Sequence, residues 1–210
     1  MLVTLTDLGH RFDGQPYLFE HVTAELEPGH VYALTGPSGS GKSTLLGILA
    51  GWITPATGTL ASTGVNRVGW IFQNPHGVAR RSARDHVALP FLARGARRTD
   101  ANREADVLLE RFGLAHAADR PFRALSGGEG QRLMLARGIA SAPDLLLVDE
   151  PTAQLDPRTA HTVNDALAKI ATAGTIIVVA THDARARDAC TDVIDLGAPA
   201  EPRTTDRVDA

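Results

Sequence analysis

Apolar positions along the chain fall into strand-like and helix-like runs. Leu2, Val3 and Leu5, and then residues 17–27 closing on Pro28-Gly29, carry strand character. HVYALT (30–35) is a β-rich apolar stretch that opens into a Gly/Ser cluster, and KSTLLGILA (42–50) beyond it has the composition of a helix. RVGWIF (67–72) predicts a further strand ending at Gln73. LLLV (145–148) and TIIVVA (175–180) are uninterrupted, as strands buried on both faces of a parallel sheet are. Between them, Asp156 as N-cap, Pro157 at the first helical position, apolar Ala160, Val163, Leu167 and Ile170, and Gly174 as a stop predict a helix. Residues 145–180 therefore read as a βαβ unit.

The interval from about 76 to 125 differs. Arg80, Arg81, Arg84, Arg94, Arg97 and Arg98 cluster there, and Ala105, Leu108, Leu109 and Phe112 recur with a helical period. Thr99 or Asp100 is the expected cap of that helix and Gly113 its stop, which predicts a mostly helical insert. From Gly197 onward the period is lost, so 198–210 reads as a frayed tail. With no internal repeat, the expectation is one domain over 1–197, its core from 1–75 and 126–197 around the helical insert.

Composition narrows the class. A chain of 210 residues with net charge −3 supports one sizeable core and gives nucleic-acid binding little electrostatic backing, so no nucleic-acid partner is expected. Of the 21 basic residues only Lys42 and Lys169 are lysines, which draws attention to where each stands. The single Cys190 forms no intramolecular disulfide and fits a reducing compartment. MLVTLTDLGHRF lacks the basic and apolar regions of a signal peptide, and no apolar run approaches the roughly 18 residues of a membrane span. The expectation is a soluble intracellular protein whose membrane role, if any, runs through a partner.

Chemistry enters at residues 36–44. Gly36, Pro37, Ser38, Gly39, Ser40, Gly41, Lys42, Ser43 and Thr44 match G-x-x-x-x-G-K-[ST] between a predicted strand and a predicted helix. Glycines let backbone N–H groups converge on phosphate oxygens, and the helix start adds its positive dipole end. Lys42 suits the β- and γ-phosphates and the Ser43 hydroxyl suits Mg²⁺, so ATP with Mg²⁺ is the expected ligand. LLLVDEP (145–151) places Asp149 and Glu150 at the carboxyl end of a buried strand, the side on which open α/β sheets bind ligands. Asp149 suits the metal, and Glu150 suits orienting the attacking water. In LSGGEGQR (125–132), Ser126, Gly127 and Gly128 at a helix start, followed by Glu129, read either as a capped helix start or as a second N-terminal phosphate site.

That last motif resembles the LSGGQ signature of ATP-binding cassette proteins, with Glu129 in place of Gln and Gly130 where a polar residue is more usual. The resemblance spans about residues 1–197 and implies an α/β fold: a P-loop NTPase core with a mixed, mainly parallel sheet, an N-terminal antiparallel β portion and a helical subdomain. It implies that Gln73 reaches Mg²⁺ and the attacking water, that His182 in ATHD contacts the γ-phosphate, and that Asp156 in AQLD is the D-loop aspartate, with Gln154 where Ala or Gly is commoner. Phe12, followed by Asp13-Gly14, aligns with the aromatic that stacks on adenine, with Tyr17 as a second candidate.

In this family one subunit's signature closes over the other's phosphate loop. One copy of each motif therefore implies a homodimer, or pairing with a second cassette ATPase. The resemblance further implies ATP hydrolysis powering a separate integral-membrane permease that docks at the helical subdomain, from the inner face of the cell membrane. ARDHVALPFLARG (83–95) resembles the corresponding run of cassettes serving macrolide- and lipoprotein-exporting permeases, with Asp85-His86 in place of Glu-Asn. The cargo so implied is a hydrophobic or amphipathic compound, peptide, lipoprotein or haem. The cluster Arg80, Arg81 and Arg84 reads either as a solvated basic face or as a contact for permease acids or lipid headgroups. The alternative is a non-transport cassette ATPase, such as a cell-division regulator or a soluble cluster-assembly ATPase.

Overall fold

A computed structural model describes residues 1–152 and 155–197. Gln154 and the 198–210 tail lie outside the described residues. Strands β1 (Leu2–His10), β2 (Phe19–Leu26) and β4 (Thr57–Thr63) form an antiparallel sheet in the order β2-β1-β4. A second sheet takes β3 (Val31–Thr35), β5 (Val68–Ile71), β6 (Leu145–Asp149), β7 (Ile176–Ala180) and β8 (Asp192–Asp195) in the order β5-β6-β7-β3-β8, all parallel. This is a mixed α/β fold.

The central strands owe their position to their apolar runs. Every residue of β7 is buried, as are Leu145 to Val148 of β6 and Val31 to Leu34 of β3. In register, Leu147 lies opposite Val178, which pairs on its other side with Tyr32. Helices cover both faces. Helix α1 (Lys42–Leu49) packs Leu45, Leu46 and Ile48 into a core with β1 and β2, while α5 (Pro157–Ala171) adds Val163 and Leu167 to the opposite core. Asp156 caps α5, its side chain accepting from the N–H groups of Arg158 and Thr159, and Pro157 opens the helix. The short α6 (Ala184–Asp188) precedes β8.

Between β5 and β6 lie α2 (Ala83–Ala93), α3 (Arg98–Arg111) and α4 (Gly127–Ala140). Ala105, Leu108, Leu109 and Phe112 are buried against Val87, Ala88 and Leu133, and Gly113 ends α3 with φ +66°. The cap of α3 differs from the sequence expectation. The helix starts at Arg98 with Arg97 as N-cap and no side-chain cap bond, so Thr99 and Asp100 fall in its first turn. Arg98 pairs with Asp85 of α2, and Asp100 stays where the helix dipole favours an acid. Arg84 is taken up inside this helical layer, paired with Asp106 at 2.6 Å and with Asp119. Among the described residues no helix is long and apolar enough to cross a membrane.

Candidate functional site

Strands β3, β6 and β7 end at one rim of the parallel sheet, and each delivers part of a cleft there. The loop after β3 needs its glycines: Gly36, Gly39 and Gly41 have φ of +142°, +84° and +89°. A Cβ on Gly36 would sit 2.5 Å from Ser40 Oγ, and one on Gly41 would sit 2.8 Å from the Phe19 ring. Ser40 is fully buried beneath the loop, and its N–H donates to the Pro37 carbonyl at 3.2 Å. Lys42 folds back over the loop, its Nζ donating to the carbonyls of Gly36 (2.8 Å) and Pro37 (2.9 Å).

Asp149 closes β6 and accepts a hydrogen bond from Ser43 Oγ at 2.8 Å, so the first turn of α1 is tied to the carboxylate strand. Burial pushes the Asp149 carboxyl above its ordinary pKa and the Glu150 charge adds to this, whereas the Ser43 bond and Lys42 oppose it. Glu150 has the left-handed backbone φ of +48°, uncommon for a residue with a side chain. Its N–H donates to the Ala180 carbonyl (2.9 Å), which turns the side chain inward until only 8% of the residue is exposed. There Thr181 Oγ1 donates to Oε2 (3.4 Å) and His182 Nδ1 lies 2.6 Å from Oε1.

The resulting cleft, about 740 Å³, is lined by Phe12, Leu18, Ser38, Gly39, Gly41, Lys42, Ser43, Thr44, Gln73, Asp149, Glu150 and His182. Its size suits a drug-sized or nucleotide-sized ligand. Phe12 is 52% exposed at its edge, standing edge-on to His10 with ring centroids 5.0 Å apart. Tyr17 is not among the lining residues and lies beneath the Arg11 guanidinium. Among the described residues no cluster of three His, Cys, Asp or Glu side chains could hold a metal alone. The bonded pair Ser43–Asp149 offers oxygen donors, which suits a Mg²⁺ ion whose other ligands are phosphate and water.

The remaining sequence candidates lie elsewhere in the chain. Ser126 caps α4 in a full capping box, its Oγ accepting from the Glu129 N–H (3.2 Å) while Glu129 Oε2 accepts from the Ser126 N–H (2.7 Å). The Ser126 backbone bond, helped by His116 and Arg120, holds the Glu129 carboxyl down at about 2. Ser126, Gly127, Gly128, Glu129 and Asp156 do not line the cleft, so one copy of the chain does not unite them with the phosphate loop. Leu18 and Thr181 are site residues that motif reading passed over. The only signal for Thr181 was its place beside His182.

A second, more apolar groove runs between β5 and the helical layer, bordered by Trp70, Phe72, His76, Leu89, Pro90 and Arg137. Trp52 stacks on Trp70 (4.6 Å, 13°) and Trp70 on Phe72 (5.2 Å, 16°), forming an exposed aromatic edge beside Gln73.

Comparison with known proteins agrees with the geometry. The family described as ABC transporter matches residues 19–153. The lipoprotein-releasing system ATP-binding protein LolD of Pseudomonas fluorescens is 34% identical over 201 residues, covering 87% of this chain and 88% of that protein. The protein of the same name from Ruegeria pomeroyi is 40% identical over 186 residues, covering 81% and 82%. Among solved structures, a dimeric ATP-binding cassette in a post-hydrolysis state bound to ADP and Pi superposes with a TM-score of 0.82 at 26% identity, covering 93% of this chain and 96% of that one. With a phosphate loop, a carboxylate strand and a histidine meeting in one cleft, and with this kinship over most of its length, the chain belongs to the ABC transporter family as an ATP-binding, ATP-hydrolysing cassette subunit.

Proposed function

We propose that the chain is one cassette, residues 1–197 with a helical subdomain over about 76–125, that binds Mg-ATP, pairs with a second cassette and drives a separate permease. The supporting observation is the meeting of Lys42, Ser43, Asp149, Glu150 and His182 in one cleft. Phosphates enter the loop, and Lys42 Nζ exchanges its two carbonyl acceptors for phosphate oxygens. Phe12 supplies a face for adenine. A Mg²⁺ ion bound with the nucleotide neutralises phosphate charge, and Ser43, Gln73 and Asp149 are the residues to hold it.

Glu150 orients the attacking water and takes up its proton as the new oxygen–phosphorus bond forms and the bond to ADP breaks. His182 fixes the Glu150 carboxylate and reaches the terminal phosphate, and Gln73 completes the water's surroundings. The exposed start of α4, with Ser126, Gly127, Gly128 and Glu129, serves the nucleotide of the paired subunit, and Asp156 joins the same seam. The pair is a homodimer or a heterodimer with a second cassette ATPase.

The apolar groove with its aromatic edge suits an amphipathic helix of the permease, and a permease docked there would hold the chain at the inner face of the membrane. The relatives' names, lipoprotein-releasing system ATP-binding proteins, favour a lipoprotein or similar amphipathic cargo, and the proposed permease is an exporter. Affinity purification from native membranes tests this. A co-purifying integral-membrane protein that raises ATP turnover supports the proposal, and a chain that hydrolyses ATP but brings down no membrane protein overturns it.

A further inference from the structure

Gln73 stands in the nucleotide cleft and Ser126 opens α4, and one buried imidazole braces the loop that leaves Gln73, to which the stretch entering α4 is in turn hydrogen-bonded. His86, on α2, is 2% exposed. Its Nε2 accepts the Val78 N–H at 2.9 Å, so the ring proton sits on Nδ1, which donates to the Ser82 carbonyl at 2.7 Å. Both ring nitrogens are thus spent on the loop that leaves Gln73, and only the neutral tautomer makes both bonds.

That loop is in turn laced to the stretch entering the signature. The Phe122 N–H donates to the Arg81 carbonyl (2.9 Å), the Arg123 N–H to the Ala79 carbonyl (3.0 Å) and the Ala83 N–H to the Arg120 carbonyl (3.0 Å), around a bridge between Ser82 and Pro121. The Phe122 ring lies 5.5 Å from the His86 ring, and a Cβ on Gly77 would come within 2.5 Å of it. The charged groups facing the imidazole are Arg137 of α4, Arg81 of the loop and Asp85 of α2; burial and the two arginines keep it neutral.

We infer that His86 is a positioning residue of the ATPase cycle, holding the 78–82 loop so that the placement of Gln73 in the cleft and of Ser126 at the start of α4 are set together. The inference rests on the proposed roles of Gln73 and Ser126 toward nucleotide. Without the Nε2 acceptor the Val78 N–H loses its partner, and the loop no longer has one fixed length.

The test uses the full chain with His86→Leu, which removes both polar atoms, and His86→Gln, whose side-chain oxygen can replace Nε2 as acceptor. Val78 amide exchange, equilibrium binding of a non-hydrolysable ATP analogue, and kcat are measured for each. The expectation for His86→Leu is fast Val78 exchange, analogue affinity within about twofold of the parent, and kcat lower on the order of tenfold to a hundredfold, the scale of a small misplacement near the chemistry. His86→Gln recovers most of the protection and most of kcat. Unchanged kcat in His86→Leu, or kcat lost in His86→Gln while Val78 stays protected, overturns the inference. Absence of ATP turnover in the parent chain would instead count against the proposed function.

Discussion

His182 Nδ1 lies 2.6 Å from Glu150 Oε1, so a ring whose side chain is 69% exposed grips a carboxylate that is almost fully enclosed. Glu150 cannot choose its direction freely, because its φ of +48° and the bond from its N–H to Ala180 fix the backbone beneath it. Glu150→Gln is expected to lower kcat by about 10²- to 10⁴-fold while ATP still binds, the range for a positioned general base. Under saturating Mg-ATP the variant accumulates as a dimer, read by light scattering after size exclusion. A variant that stays monomeric with ATP bound argues against pairing by this chain alone.

Lys42 carries the second expectation. Its ammonium bridges Gly36 and Pro37, so Lys42→Ala removes both a phosphate contact and the brace across the loop. A fluorescent ATP analogue should bind at least roughly tenfold more weakly, since a charge-assisted contact contributes about 1.5–3 kcal/mol. Lys42→Arg is expected to rescue poorly, because a planar fork replaces a compact ammonium.

Asp149 is held in the cleft against its own stability. Its carboxyl pKa is raised by burial, so the folded chain binds a proton more readily than the unfolded one, and stability falls as pH rises from the ordinary value of 3.8 through the raised one. Asp149→Asn keeps an acceptor for Ser43 and removes that penalty. The nucleotide-free variant is expected to melt a few degrees higher at pH 7, with the gap closing toward and below pH 3.8, while Mg-dependent turnover is lost. Thermal melts across pH check this, and a lower melting temperature at pH 7 contradicts it.

Glu129 has the opposite sign. Its carboxyl is held at about 2 against an ordinary 4.5, so its stabilisation is present above pH 4.5 and is lost as pH falls toward 2. Glu129→Gln should flatten that acid limb in a melting series. Ser126→Ala removes the cap of α4 and is expected to cost about 0.5–2 kcal/mol in chemical denaturation.

The parallel sheet was legible because β3, β6 and β7 are apolar on both faces, a pattern that strands at the centre of such a sheet must have. β4 was not, since Thr57–Thr63 is largely exposed and is held by pairing with β1 rather than by burying a face. The four-residue β8 (Asp192–Asp195) has a single buried residue, Ile194, and so lacks any period to read. In the cleft, the phosphate loop around Lys42 was legible from its fixed spacing and Asp149 and Glu150 from their place at the end of an apolar strand, whereas Phe12, Gln73 and His182 were legible only through the family resemblance. Thr181 and His86 act through hydrogen bonds to partners whose positions only the folded chain supplies, and no interval in the sequence encodes them.

The strand order β5-β6-β7-β3-β8 bears on how the protein is made. β3 is finished by residue 35, yet its two neighbours in the sheet are β7, which begins at Ile176, and β8, which begins at Asp192. While the ribosome works through the intervening residues, the strand that carries the phosphate loop has both edges open and no sheet to lie in. Grip on nucleotide therefore arrives only once β7 and β8 have been made, and a fragment terminated before Ile176 emerges without a working hold on ATP.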